Sequence, residues 1–253
     1  MEINDALFQF ATRLGDNTLI LGHRVSEWCG HAPVIEEDIA LANTALDLIG
    51  QTQFWLGLAA EIEGTAKTAD DLAFLRDAWD YRNFLLVEVP NGDFGQTLMR
   101  QFLFDAWQSI HLPRLIASSD ARVSAIAEKA SKEVAYHVER SASTVVGLGD
   151  GTQESHDRMQ AALTYLWPYV GEIFDTDDVD DTLAKAGIAV HPQSLKDEYY
   201  ALVNRVLKDA TLRVPDDMFA HKGGRSGKRH TEHLGHILVE MQWLQRAYPG
   251  STW

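Results

Sequence analysis

Apolar residues recur along most of this chain at intervals of three and four, the spacing that lines one face of an α-helix. Met159, Leu163, Leu166, Val170 and Ile173 form one such stripe, and Phe94, Leu98, Phe102 and Ala106 a second. Alternating, strand-like runs are scarce. Residues 35–62 are apolar almost all round, with Ile39, Ala40, Leu41, Ala42, Ala45, Leu46, Leu48 and Ile49, and that pattern predicts a central, buried helix. Breakers divide the chain between these segments. Gly30 to Pro33 separates a helix at about 4–29 from the one at 35–62, and Pro90-Asn91-Gly92 closes a shorter helix at about 69–87. Long helices follow at about 94–118 and 121–147, the second ending in the cap and turn GLGDGT. Further helices are expected near 153–174, 177–186, 192–211 and 230–247, with Pro215 and the loop before residue 230 isolating the last.

Two pairs of long helices joined by one longer crossover is the connectivity of a ferritin-like four-helix bundle. The expected architecture is therefore all-α: a single domain over 1–253, with a core bundle at about 4–147 and additional C-terminal helices at about 153–253. Asp16 and Asp47 lie 31 residues apart, and Asp105 and His137 lie 32 apart. That weak symmetry predicts that each helix pair brings polar residues to one level of the core.

Composition narrows the function classes. The chain has 253 residues, 45% apolar and 23% charged, enough for a substantial core and ordinary for a globular protein. No apolar run reaches the roughly 18 residues that span a bilayer, and the N-terminus lacks the basic start of a signal peptide, so a cytoplasmic location is expected. A net charge of −15 disfavours nucleic acid and anionic membrane as partners. The one basic concentration, KGGRSGKRH at 222–230, reads as a solvated, mobile connection, or as a contact for an acidic partner or a phosphate. The single cysteine, Cys29, allows no internal disulfide, and its apolar neighbourhood suggests a buried structural thiol.

The candidate chemistry sits in SKEVAYHVERS, residues 131–141. Carboxylate-bridged di-iron bundles take one Glu from each of two helices and a Glu-x-x-His from each of the other two. Here Glu133 and His137 are four apart, still on one helix face, with Val134 where the ligand would be expected. The second helix, where another Glu-x-x-His is expected, reads Asp47-Leu48-Ile49-Gly50, with no imidazole. Asp16 and Asp105 complete an inventory of four acids and one histidine. That is too few donors for two irons, so Asp16, Asp47, Asp105, Glu133 and His137 read as a vestigial site: a buried polar network paired with Arg13, Arg24 or Lys132. No catalytic, cofactor-binding or working metal residue is assigned.

Other motifs carry less. His230, His233 and His236 share helical spacing, but the stretch lacks a His-Glu-x-x-His pattern and reads as a helix start with surface histidines. Trp107, Trp167, Trp243 and Tyr248 read as core and interface packing. There is no nucleophile elbow, phosphate loop or dinucleotide glycine pattern.

Longer motifs bring a resemblance. RLGDNTLILGHRVSEWCGHAP, DIALANTALDLIGQ, FLLVEVPNGDF, FDAWQ, KEVAYH, LGDGT, FDTDDVD, GIAVHP and the closing HTEHLGHILVEMQWLQRAYPGSTW run in order from about residue 13 to Trp253. Together they closely resemble the family of structural, non-catalytic (PaaC-type) subunits of the ring-1,2-phenylacetyl-CoA epoxidase complex. The resemblance implies a ferritin-like chain paired with a paralogous catalytic subunit that holds the di-iron centre and binds phenylacetyl-CoA. It also implies a separate reductase carrying FAD and an iron–sulfur centre that delivers electrons from NADPH, and a place in aerobic phenylacetate degradation. This chain would hold no cofactor of its own. An obligate hydrophobic interface of roughly 2,000 Å² or more is then expected, from the first two long helices and the C-terminal helix; a homodimer is the alternative assembly for the isolated chain. Two other readings stay open: an oxygen-activating or metal-binding protein with a degraded site, and a coenzyme A-ester binding module using the basic loop.

Overall fold

The structure is a computed structural model that describes residues 1–216 and 219–251. Thr252 and Trp253, which end the closing motif, lie outside the described residues. The described residues contain helices and connecting turns and no strand, as the periodicity predicts. None of these helices is long and apolar enough to cross a membrane.

The chain forms two compact units: one from Met1–Pro90 with Lys222–Trp253, the other from Asn91–His221. In the first, α1 (Ile3–Ser26) packs along α2 (Ile35–Glu63), followed by α3 (Ala69–Phe74), a 3-10 turn (Ala78–Asp80) and α4 (Leu85–Glu88). The last helix, α10 (Glu232–Ala247), returns to α3 and that turn. Small residues let α1 and α2 approach closely: a side chain at Gly15 would overlap Leu56, and one at Gly22 would press on Leu48 and Ile49. Thr18 and Thr52 share a buried 2.8 Å hydrogen bond between them.

The second unit holds α5 (Phe94–Leu115), α6 (Ala121–Gly149), α7 (Gln153–Leu166), a 3-10 stretch (Trp167–Phe174), α8 (Asp178–Lys185), a 3-10 turn (Pro192–Leu195) and α9 (Lys196–Asp209). Side chains of Asp93, Asp120 and Thr152 accept backbone amides at the starts of α5, α6 and α7, which is why these helices begin where the sequence places them. Met159, Leu163, Leu166, Val170 and Ile173 are all buried, so that stripe is a core face.

Three expectations are corrected. The helix at 69–87 is broken: capping boxes at Thr68/Asp71 and Asp77/Asp80 start separate turns. The extended link at Tyr81–Phe84 then turns its amides to α1, where Arg82 N donates to Asp16 Oδ2 (2.8 Å) and Phe84 N to Asn17 Oδ1 (2.9 Å). Next, α2 is buried on one face only; Ile35 is 70% exposed, Ile39 56% and Leu46 69%. Its all-round apolar pattern records a second apolar face, which this chain leaves open. Cys29, finally, is exposed, in the turn after α1.

Candidate functional site

The five vestigial candidates fall in both units. Asp16 and Asp47 belong to the first, Asp105, Glu133 and His137 to the second.

Asp16 is fully buried on α1. Arg76, just past α3, grips it with both guanidinium arms, Nη1 to Oδ2 at 3.0 Å and Nη2 to Oδ1, while the Arg82 amide takes Oδ2 as well. Arg76 also donates through Nε to Leu72 O and lies over the Tyr81 ring, 4.3 Å from its centroid. Burial is the largest influence and pulls the Arg76 guanidinium down, but the Asp16 charge, its hydrogen bond, Tyr81 and Asp80 together outweigh it and the net direction is up. Bidentate pairing and the further amide hydrogen bond offset the cost of burying both groups.

Asp47 is half-buried on α2. The α1–α2 register, with Thr18 opposite Thr52 and Gly22 opposite Leu48, puts Asp47 near the level of His23. At ~1.5 Å per residue that is roughly 10 Å along the axis from Asp16. The expectation that these two acids share a level is therefore wrong: antiparallel pairing through Gly15 and Gly22 sets a different register. Gly50 sits in open space, since a Cβ built there would meet nothing within 4 Å. Packing does not demand a glycine at this position.

In the second unit Asp105 and His137 do meet. Asp105 is fully buried and accepts from Gln101 Nε2 at 2.7 Å and Ser141 Oγ at 2.8 Å. Burial is the largest influence on its carboxyl and drives the pKa up to about 6, against the lowering effect of nearby His137, the two hydrogen bonds and Arg140. Gln101 Oε1, also buried, has no hydrogen-bond partner. His137 is buried, Glu133 half-buried, and Val134 is buried in the core. Lys132, expected in the polar network, pairs instead with Glu128 on the exposed side of α6 (3.2 Å), because its position on the helix faces away from Asp105.

Within neither unit do three or more His, Cys, Asp or Glu side chains gather closely enough to hold a metal ion, among the described residues. Asp16 is engaged by two guanidinium donors of Arg76 and one backbone amide, and Asp105 by an amide and a hydroxyl; this donor set does not fit a dinuclear iron centre.

The family model for phenylacetic acid catabolic proteins matches residues 1–253. The chain belongs to the phenylacetic acid catabolic protein family. A curated relative, the C-lettered subunit of the 1,2-phenylacetyl-CoA epoxidase of Escherichia coli (strain K12), is 46% identical over 247 residues, covering 98% of this chain and 99% of its own. The resemblance read from the motifs is borne out at this level.

Sequence reasoning missed two residues of this family member that hold its polar interior. Arg76 lies sixty residues from Asp16, in a segment read as plain helix, and nothing local marks it. Glu88 is fully buried at the end of α4 and is met by His230, one of the three histidines read as surface residues. His233 and His236 do not join it in any metal-holding group.

Proposed function

We propose that this chain is the structural, non-catalytic subunit of a multicomponent di-iron monooxygenase that epoxidises the ring of phenylacetyl-CoA, and that it supports a paralogous subunit holding the iron. Likeness to the Escherichia coli epoxidase subunit along 98% of the chain carries the reading. The donor set supports the silent role: Asp16 is committed to Arg76, and Gly50 and Val134 stand where further ligands would project. Four long helices, α1, α2, α5 and α6, support a ferritin-like bundle as the ancestral plan. On this reading the di-iron centre belongs to the partner, NADPH, FAD and the iron–sulfur centre to a reductase, and the assembly works in the cytoplasm.

The open face of α2 supports a partner surface. Val34, Ile35, Ile39, Leu46, Ile49 and Phe54 form an exposed apolar ridge over a span of roughly 29 Å. Half-buried Ala42, Gly50 and Gly57 beside it leave room for a neighbouring helix to come close. A ridge of this length left in water is uncommon on a monomer and typical of an obligate interface.

The test is to co-express the catalytic subunit with wild-type chain, with the L46E variant, and alone. Leu46 touches little of its own chain, so L46E should shift stability by no more than ~0.5 kcal/mol while cutting co-purification at least about tenfold. Soluble, active catalytic subunit in the absence of this chain would overturn the scaffold role. So would two irons per purified chain with turnover of phenylacetyl-CoA.

A further inference from the structure

We propose that residues 222–247 act as a detachable strap on the first unit, with the buried Glu88 carboxylate as its catch. The segment and its seat carry opposite charge. Residues 1–90 hold fifteen acids against five bases, whereas residues 222–253 hold five bases against two acids. The basic loop thus belongs to a unit whose other part is net acidic. It is not the mobile connection expected from its glycines: Gly224 and Arg225 are buried, a side chain at Gly224 would clash with the Asn83 carbonyl, and Gly227 lies against Arg82.

Glu88 is fully buried and accepts four hydrogen bonds, three of them from the strap. His230 Nδ1 meets Oε1 at 2.6 Å, and Thr231 meets Oε2 with both its amide and its hydroxyl at 2.7 Å. The fourth donor, Asn83 Nδ2, comes from the seat itself at 2.9 Å. A second fastening lies farther along α10. Gln242 Nε2 donates to Tyr81 Oη and Arg76 O, both at 3.0 Å, and Arg246 Nη2 reaches Asp77 Oδ1 at 2.8 Å. Between these points Leu234, Ile237, Leu238 and Met241 give the strap a narrow buried face. The α1–α2 contacts do not depend on it, since Gly15, Thr18 and Gly22 meet Leu56, Thr52 and Leu48 directly. A segment held by a small apolar face and a concentrated polar catch opens below the free energy of global unfolding. Opening also rehydrates Glu88, which then keeps only the Asn83 donor of the seat.

Hydrogen exchange of the full chain tests this. Amides of α10 should exchange at least ~100-fold faster than those of the α2 core in the wild type, reporting opening of the strap alone. Substitution E88Q places an amide N–H₂ against one pair of donors and should accelerate α10 roughly 10- to 100-fold, leaving α5 and α6 unchanged. The T231V variant removes a single hydroxyl donor, so it keeps the test alive if E88Q does not fold; it should accelerate α10 by ~3- to 10-fold. The proposal is overturned if α10 exchanges in step with α2 in the wild type, or if either variant speeds both helices equally or neither.

Discussion

The substitution Asp105→Asn offers a sharp measurement, because its sign depends on pH. Asp105 is fully buried, and its carboxyl titrates near 6 in the folded chain against an ordinary value of 3.8, mainly through burial. The folded state therefore holds a proton between these values that the unfolded chain releases, and stability falls as pH rises through that window. At ~1.4 kcal/mol per pH unit, the penalty is about 1–2 kcal/mol at pH 5 and levels off at about 3 kcal/mol by pH 8. Asparagine does not titrate. It can still accept from Ser141, and its Nδ2 can donate to Gln101 Oε1, which has no partner now, once the Gln101 amide turns over. Urea unfolding of both proteins at pH 5 and pH 8 should show D105N gaining roughly 1–2 kcal/mol over the wild type across that interval, with unchanged m-values. The difference isolates Asp105 together with its coupling to His137, since all other groups titrate in both proteins. Parallel pH profiles, or a D105N deficit that grows toward pH 8, would refute the picture of a carboxyl held against its preferred ionisation.

Two further outcomes follow from the first unit. Replacing Arg76 by Leu removes the cation from fully buried Asp16, and urea unfolding should report a loss of ~3–5 kcal/mol; a loss under ~1 kcal/mol would mean that the pair contributes little. Replacing Gly50 by Ala should stabilise by ~0.5–1 kcal/mol in a thermal melt, because the position is mid-helix and the added methyl meets nothing within 4 Å; destabilisation would show that the space is not open.

Much of the helical plan is legible in the residues, since capping and period act over three or four positions. The stripe from Met159 to Ile173 and the caps at Asp93, Asp120 and Thr152 are of this kind. What escapes is the partner of each buried charge. Asp16 is read correctly as needing a cation, yet Arg76 is chosen by a chain reversal that no local pattern encodes. Glu88 and His230 stand 142 residues apart, so each looks like an ordinary surface residue until the fold joins them. The break in the helix at 69–87 has the same origin: Asp16 and Asn17 draw the Arg82 and Phe84 amides out of helical geometry. On α2 the pattern is read correctly as apolar and wrongly as buried, because periodicity reports that a face avoids water without saying which molecule covers it.

The first unit draws on both ends of the polypeptide, with residues 91–221 made in between. Ribosomes add roughly 5–20 residues per second, so the opening 90 residues wait on the order of ten seconds before the piece that completes them emerges. Through that interval the nascent chain displays an unfilled seat and a bare carboxylate, while the intervening stretch can already collapse on its own. Order of synthesis thus runs against order of assembly, and a message cut short of the codon for Lys222 yields a product that chaperones and proteases meet as unfinished.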